Sequence, residues 1–230
     1  MASHVVGSRS GLPYRRRPLD FAWNNKWLWT AVFFVMATIL SAAKPVVLHD
    51  GGAVTYFSLL FLWLVTFTYG TKHGILVGLV FGFAKFAVTY LTGEYLNYEP
   101  RAIVLEYPLA CAAVALGGLI SPKVDVRKGD KAHRSTDSIR REPVKLRVGY
   151  LLGVFAMGVC YVISAVLFYP PDRVGFLPNL LYCIEYDMSY LLIEALLTLL
   201  LLCIPQVVDA IYYVKHVATT RRGDPTLDSF

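Results

Sequence analysis

Along this chain of 230 residues, apolar and polar positions fall into blocks rather than alternating residue by residue. Six apolar blocks stand out: Trp27–Ala43, Val54–Tyr69, Gly74–Leu91, Ala102–Ile120, Val148–Tyr169 and Leu180–Val214. Roughly twenty apolar residues cross the ~30 Å hydrocarbon core of a bilayer as a helix, and several blocks come close to that. The first has 17 residues, or about 26 Å at 1.5 Å per residue. The last is longer than one span needs, and Pro205 within it predicts a kink or an end to the membrane part. The polar stretch Ser121–Arg147 reads as a solvent loop. The expected fold is an all-α integral membrane protein, a compact bundle of six transmembrane helices. Residues 1–26 form an N-terminal tail, 27–214 the membrane domain with its loop at 121–147, and 215–230 a C-terminal tail.

Composition agrees with the block pattern. Hydrophobic residues make up 56% of the chain and mean hydropathy is +0.52, above the range of soluble domains. The net charge of +6 does not call for nucleic acid, because its basic residues sit in tails and loops beside the apolar blocks. If both termini share one side, that side holds eighteen Lys and Arg against three on the other, with Lys85 inside a span. This bias places both termini in the cytoplasm of a multi-pass plasma-membrane protein. Arg15-Arg16-Arg17 lies ahead of the first block, which reads as a start-transfer helix that stays in the protein. Cys111, Cys160, Cys183 and Cys203 all lie in apolar blocks without ligand spacing, so buried small side chains are expected and neither a disulfide framework nor a metal site.

Small residues suggest how the helices pack. Gly70, Gly74, Gly78 and Gly82 recur every fourth position and share one helix face, which lets a neighbour approach backbone to backbone. The fourth block is similarly small-faced at Ala110, Ala112, Ala113, Ala115, Gly117 and Gly118. Internal repeats are not evident, which counts against an inverted-repeat carrier.

The informative residues are the ones that lipid disfavours. A charge at the bilayer centre costs at least about 2.5–3.5 kcal/mol on insertion scales, and the candidates are Lys85, Glu106, Glu185, Asp187 and Glu194. The alternating course of six spans brings Glu106 and Tyr107 of the fourth, Tyr161 and Tyr169 of the fifth, and Tyr182, Asp187 and Tyr190 of the sixth to one outer zone. At 100° per residue, Tyr182, Tyr186, Asp187, Tyr190 and Glu194 fall within about 140° of one another, with Glu185 outside that arc. Acids among aromatic rings suit a cation or a flat heterocycle. The same residues also suit an interfacial aromatic belt, with the acids snorkelling or paired to Lys85 and Arg101.

No G-x-x-x-x-G-K-[ST] loop, H-E-x-x-H or G-x-S-x-G occurs, and no nucleophile–base pair or metal cluster is apparent. A binding protein is expected rather than an enzyme, with no cofactor. Any ATP-driven transport requires a motor on another subunit.

Four short motifs then fall in order. Asp50-Gly51-Gly52-Ala53-Val54-Thr55, Tyr69-Gly70-Thr71-Lys72-His73-Gly74, Glu106-Tyr107-Pro108-Leu109-Ala110 and Tyr182-Cys183-Ile184-Glu185-Tyr186-Asp187-Met188-Ser189-Tyr190 resemble the thiamine-specific S-component of energy-coupling factor (ECF) transporters. The resemblance runs from about Trp27 to Leu202. It implies a subunit that captures thiamine, or a related pyrimidine or thiazole compound, from outside and docks on a transmembrane coupling subunit with two ATP-binding subunits. It also implies ligand contacts at Glu106, Tyr107, Tyr182 and Asp187, the last standing where the family has asparagine. Tyr161 and Tyr169 stand at the family's histidine and tryptophan positions. The docking surface is implied on the first helix, at Ala37-x-x-x-Ser41 or Thr38-x-x-x-Ala42, where ordinary helix packing is the other explanation. An S-component for another vitamin, or a stand-alone proton-coupled carrier using Glu106, Asp187 and Glu194 as relay acids, are the alternatives.

Overall fold

The computed structural model describes residues 25–47, 52–93, 96–120, 136–170 and 174–219; side chains at 136–142 and 216 are left aside. Within these residues the chain is helical apart from one small hairpin. Helix α1 runs Lys26–Ala42, α2 Ser58–Tyr69, α3 Thr71–Leu91, α4 Pro100–Leu119, α5 Thr136–Phe168, α6 Phe176–Leu201 and α7 Pro205–Thr219. Between α1 and α2 lie strands β1 (Val46–Val47) and β2 (Ala53–Val54), antiparallel, with Val46 opposite Val54 and Val47 opposite Ala53.

By length and apolarity three helices among the described residues can cross a bilayer: α3, α4 and the Pro143–Phe168 part of α5. The pair α6–α7 passes the same test only as a span bent by 89°. Pro205 begins α7 rather than kinking a continuous sixth helix, and a proline at the first helical position loses no internal hydrogen bond. Helices α1 and α2, at 17 and 12 residues, are shorter apolar helices. The second block does not start its helix at Val54 as predicted, because β2 and the left-handed backbone of Phe57 (φ 56°) come first. Conversely, α5 begins at Thr136, so residues 136–147 of the predicted loop are helical. Apolarity marks only the part of a helix that meets lipid, and 33 residues extend about 50 Å, well past a ~30 Å core.

The core gathers around Trp63, Phe81, Leu146, Tyr150 and Met157, all fully buried, where α2, α3, α4 and α5 meet. The glycine face of α3 makes the close approach its spacing predicts. A Cβ on Gly78 would meet Ala112 Cα and the Cys111 carbonyl at 2.7 Å, and one on Gly82 would strike Pro108 and the Tyr107 carbonyl. Gly70 stands apart from that face, as the residue before α3 with φ +87°. On α1 the Ala37 and Ser41 side chains are buried, at 0% and 1% exposed. That pair packs inside the bundle, whereas Thr38 is half-buried and Ala42 exposed.

Opposite ends of the bundle are tied differently. At one end the Arg147 guanidinium donates twice to the Leu202 carbonyl (3.1 and 2.8 Å) just beyond α6. There α7 folds back so that Tyr212 meets the Phe67 ring edge-on at 5.5 Å and Lys215 Nζ sits 3.6 Å from its centre. At the other end Asn97 donates to the Phe168 carbonyl at 3.1 Å, joining the α3–α4 connection to the end of α5. The candidate site opens at this second end.

Candidate functional site

The fourth helix is not uniform where the site begins. Residues Leu105–Leu109 form a π turn, with the Ala110 N–H donating to the Leu105 carbonyl five residues back. Pro108 lies in it, has no N–H to give and would press on the carbonyl one turn earlier in an ordinary α-helix. A widened turn relieves that pressure, and π turns of this kind recur at functional sites. Gly82 of α3 lets the wide turn seat against its backbone. Glu106 is thereby aimed across the bundle at α5, where its Oε1 accepts from Ser164 Oγ (2.7 Å) and its Oε2 from the Tyr169 hydroxyl (3.2 Å). Tyr107 is buried with its ring edge-on to Phe86 at 5.3 Å.

A cavity of about 170 Å³ lies among these elements. Glu106, Tyr107, Tyr161, Tyr169, Tyr182, Asp187 and Tyr190 all line it, joined by Lys44, Gly52, Thr55, Lys85, Thr89 and Tyr186. The seven sequence-selected residues thus come together from α4, α5 with the residue after it, and α6. On α6, Tyr182 and Tyr186 stack at 6.3 Å with 20° between planes, while Tyr186 and Tyr190 meet at 6.1 Å and 70°. Tyr190 also faces Tyr161 across the cavity at 6.3 Å. Rings at these separations are within the range of favourable aromatic pairs.

Polar groups of the wall are linked to one another. Lys85 Nζ donates to the Tyr161 hydroxyl at 2.8 Å. The Gly52 N–H donates to the Tyr186 hydroxyl at 2.8 Å, which pins the strand segment over the side of α6. Any side chain at Gly52 would meet Tyr186 and Tyr190 at 2.9 Å, so the approach depends on glycine. The Tyr190 hydroxyl donates to Asp187 Oδ1 at 3.2 Å. Asp187 Oδ2 is buried without a hydrogen-bond partner.

Not every acid named from the sequence belongs here. Glu185 is exposed on the other side of α6, as its phase predicts. Glu194 shares the inward face yet does not line the cavity. Its Oε2 accepts from Thr55 Oγ1 (2.7 Å) and its Oε1 from Ser58 Oγ (3.4 Å) and the Leu59 N–H (3.3 Å). It caps the first turn of α2 from another helix. Arg101 pairs with exposed Glu99 at 3.8 Å. Lys85, weighed as a partner for acids, engages Tyr161 instead and lines the cavity. Gly52 and Thr55 stand in the sequence only as members of the first motif, Thr89 gives no signal, and Lys44 reads only as a loop charge. The four cysteines stand outside any disulfide: Cys111 and Cys183 are buried, Cys160 is half-buried, and Cys203 is exposed rather than inside. Among the described residues no cluster of His, Cys, Asp and Glu suits a metal ion.

Apolar helices able to cross a bilayer, built round a side cavity of acids and tyrosines, define a membrane protein of the transport class. A family model described as thiamine transporter protein (Thia_YuaJ) matches residues 27–213, and the chain belongs to that family of transporters, not to an enzyme family. The thiamine transporter ThiT of Bacillus subtilis (strain 168) is 24% identical over 180 residues, 76% of this chain and 86% of that protein. The solved structure of ThiT from Listeria monocytogenes matches with a TM-score of 0.57 at 18% identity, covering 79% of this chain and 96% of that one. The two share a fold.

Proposed function

We propose that this chain is the substrate-capturing subunit of an ECF importer and that the cavity binds thiamine from outside the cell. In this proposal α1–α6 are six spans with both termini cytoplasmic. Residues 1–26 and 215–230 are the tails, although α7 runs five residues past the second boundary to Thr219. The cavity then opens in the outer half of the membrane. A coupling subunit with two ATP-binding subunits supplies the energy, since the sequence holds no nucleotide-binding loop.

Family membership supports thiamine as the ligand. The observation that carries the site is the convergence of Glu106, Tyr107, Tyr161, Tyr169, Tyr182, Asp187 and Tyr190 on one cavity. Thiamine has a permanent positive charge and two flat heterocycles. Tyrosine faces attract the charge by roughly 0.5–2 kcal/mol, and the carboxylates offer charge-assisted acceptors. Isothermal titration of the detergent-purified protein should give sub-micromolar thiamine binding. Silence with thiamine and strong heat with riboflavin or folate overturns the assignment. Proteoliposomes holding this chain alone should not accumulate thiamine on ATP addition.

A further inference from the structure

Lys85 sits within α3, lines the cavity and has no part in the function proposed above. A charge at membrane depth is costly and is kept for a reason. The reason here is not the pairing of an acid, since Lys85 Nζ donates to the Tyr161 hydroxyl at 2.8 Å. Nor is it attraction of the ligand, because an ammonium repels the cation that Glu106 and Asp187 suit. What remains is the hydroxyl that it holds. Tyr161 is 8% exposed and lines the cavity from α5, with Lys85 Nζ 5.5 Å from its ring centre. Hydroxyl protons separate Tyr161 from its neighbours. The Tyr169 hydroxyl donates to Glu106 Oε2 and the Tyr190 hydroxyl to Asp187 Oδ1, each at 3.2 Å. A phenol both donates and accepts, but a lysine ammonium only donates. The Tyr161 oxygen is therefore the acceptor toward Lys85, and its own proton has no acceptor among the described residues.

We infer that Lys85 is a positioning residue that sets specificity through Tyr161. By holding the Tyr161 oxygen from α3, it leaves the Tyr161 O–H as a donor to the cavity, for a ligand that carries a hydrogen-bond acceptor at the α3–α5 wall. Polar groups buried in native proteins are almost always paired, so the unplaced proton is one that a ligand completes. A neutral amide in place of the ammonium would accept as well as donate, and the phenol could then turn its proton toward it. The ammonium forbids that turn. Its charge also polarises the O–H and strengthens it as a donor. The cavity then has two kinds of wall. Carboxylates on α4 and α6 face a positive charge, while a fixed donor on α5 faces an uncharged acceptor. The class of ligand is a cation whose charge and hydrogen-bond acceptor lie on different atoms.

The choice of compound rests on the thiamine proposal, and thiamine fits the class: its charge lies on the thiazolium, while its pyrimidine nitrogens and alcohol oxygen accept. Thiamine titrations of the purified full chain compare wild type, Lys85→Gln, Tyr161→Phe and the double variant. The amide carbonyl takes the Tyr161 proton, so Lys85→Gln should weaken thiamine by about five- to tenfold, the scale of one hydrogen bond. In the Tyr161→Phe background the same change should leave affinity unaltered or tighten it, because only repulsion of the ligand's charge is removed. The ratio between the two backgrounds is the readout, since a double-mutant cycle isolates the pair from what each substitution does alone. The same factor in both backgrounds means that Lys85 acts without Tyr161, and overturns the inference. Tighter binding by the Lys85→Gln single variant overturns it too. If Lys85→Gln does not fold, Lys85→Met runs the same cycle with an expected ratio of about threefold, the hydroxyl then being unheld rather than turned. A wild type that takes riboflavin or folate in place of thiamine defeats the thiamine proposal alone, and the cycle is read with that compound. A wild type that binds none of them overturns both.

Discussion

Two levels of α6 carry buried acids on the same inward face, and the molecule treats them in opposite ways. Asp187 and Glu194 lie seven residues apart, about 10 Å along the axis and rotated by only about 20°. Glu194, at 4% exposed, has both oxygens filled by Thr55, Ser58 and the Leu59 N–H. Asp187 is as buried, has one oxygen filled by a neighbour on its own helix, and has the other open. The segment 52–59 decides the difference. It reaches α6 at both levels, but at the upper one it brings a glycine N–H to Tyr186 and no donor to Asp187. At the lower one it brings the first turn of a helix, where free N–H groups gather and negative charge is favoured. An acid in a membrane helix thus becomes a structural cap or an open acceptor according to what the facing backbone delivers.

The largest expected effect tests the capped level. Glu194→Leu leaves Thr55, Ser58 and the α2 N-terminus without their shared acceptor in a dry interior. The expected loss is about 3 kcal/mol of stability, from charge-assisted hydrogen bonds worth roughly 1.5–3 kcal/mol each with partial repair by the two hydroxyls. Thermal unfolding in detergent should show a clear fall in the midpoint, and thiamine binding should fall only with the folded fraction. A stable variant that has lost binding would break the comparison and move Glu194 into the ligand site.

Glu106→Gln should have a smaller effect and of another kind. The amide is nearly isosteric, and Ser164 and Tyr169 have hydroxyls that can donate or accept, so the fold is expected to stand within about 1 kcal/mol. Thiamine affinity should fall about tenfold as the wall loses a negative charge facing a cationic ligand. Titration beside a melting curve separates the two. Unchanged affinity with a lower midpoint makes Glu106 a structural acid like Glu194.

Much of this contrast could be read in the sequence, and the missing part has a physical cause. Charged side chains are so costly in hydrocarbon that each one in an apolar block is informative, and helical phase then separated Glu185 from Asp187. Phase could not separate Asp187 from Glu194, since both share the face and only the partner segment distinguishes them. That segment was the part of the second block read as helix, where β2 and the positive φ of Phe57 intervene. Strand pairing of two residues a side leaves no periodic trace. The π turn at Glu106 was also silent, although Pro108 inside an apolar block, facing the glycine stripe of α3, is the local signal for it. The start of α5 is rich in charged and polar residues, so apolarity alone predicts a loop there.

The smallest expected effect tests the phase argument itself. Glu185 lies two residues before Asp187, about 200° round the helix, and is exposed. It lines no part of the cavity. Exposed polar substitutions away from caps and networks usually change stability by less than about 0.5 kcal/mol, so Glu185→Gln should leave the melting temperature of the ligand-free protein nearly unchanged. Thiamine affinity should stay within about twofold, because a screened outward charge contributes little to a site on the far side of the helix. The variant also checks the register of α6. A rotation of one residue moves every side chain by 100°, which would carry Asp187 toward the flank of the cavity and change which acid the ligand meets. A tenfold loss at Glu185→Gln, with Asp187→Asn silent, would show that rotation and remove Asp187 Oδ2 from the site. Loss at Asp187 with silence at Glu185 fixes the inward face of α6 as the one that carries Tyr182, Tyr186 and Tyr190.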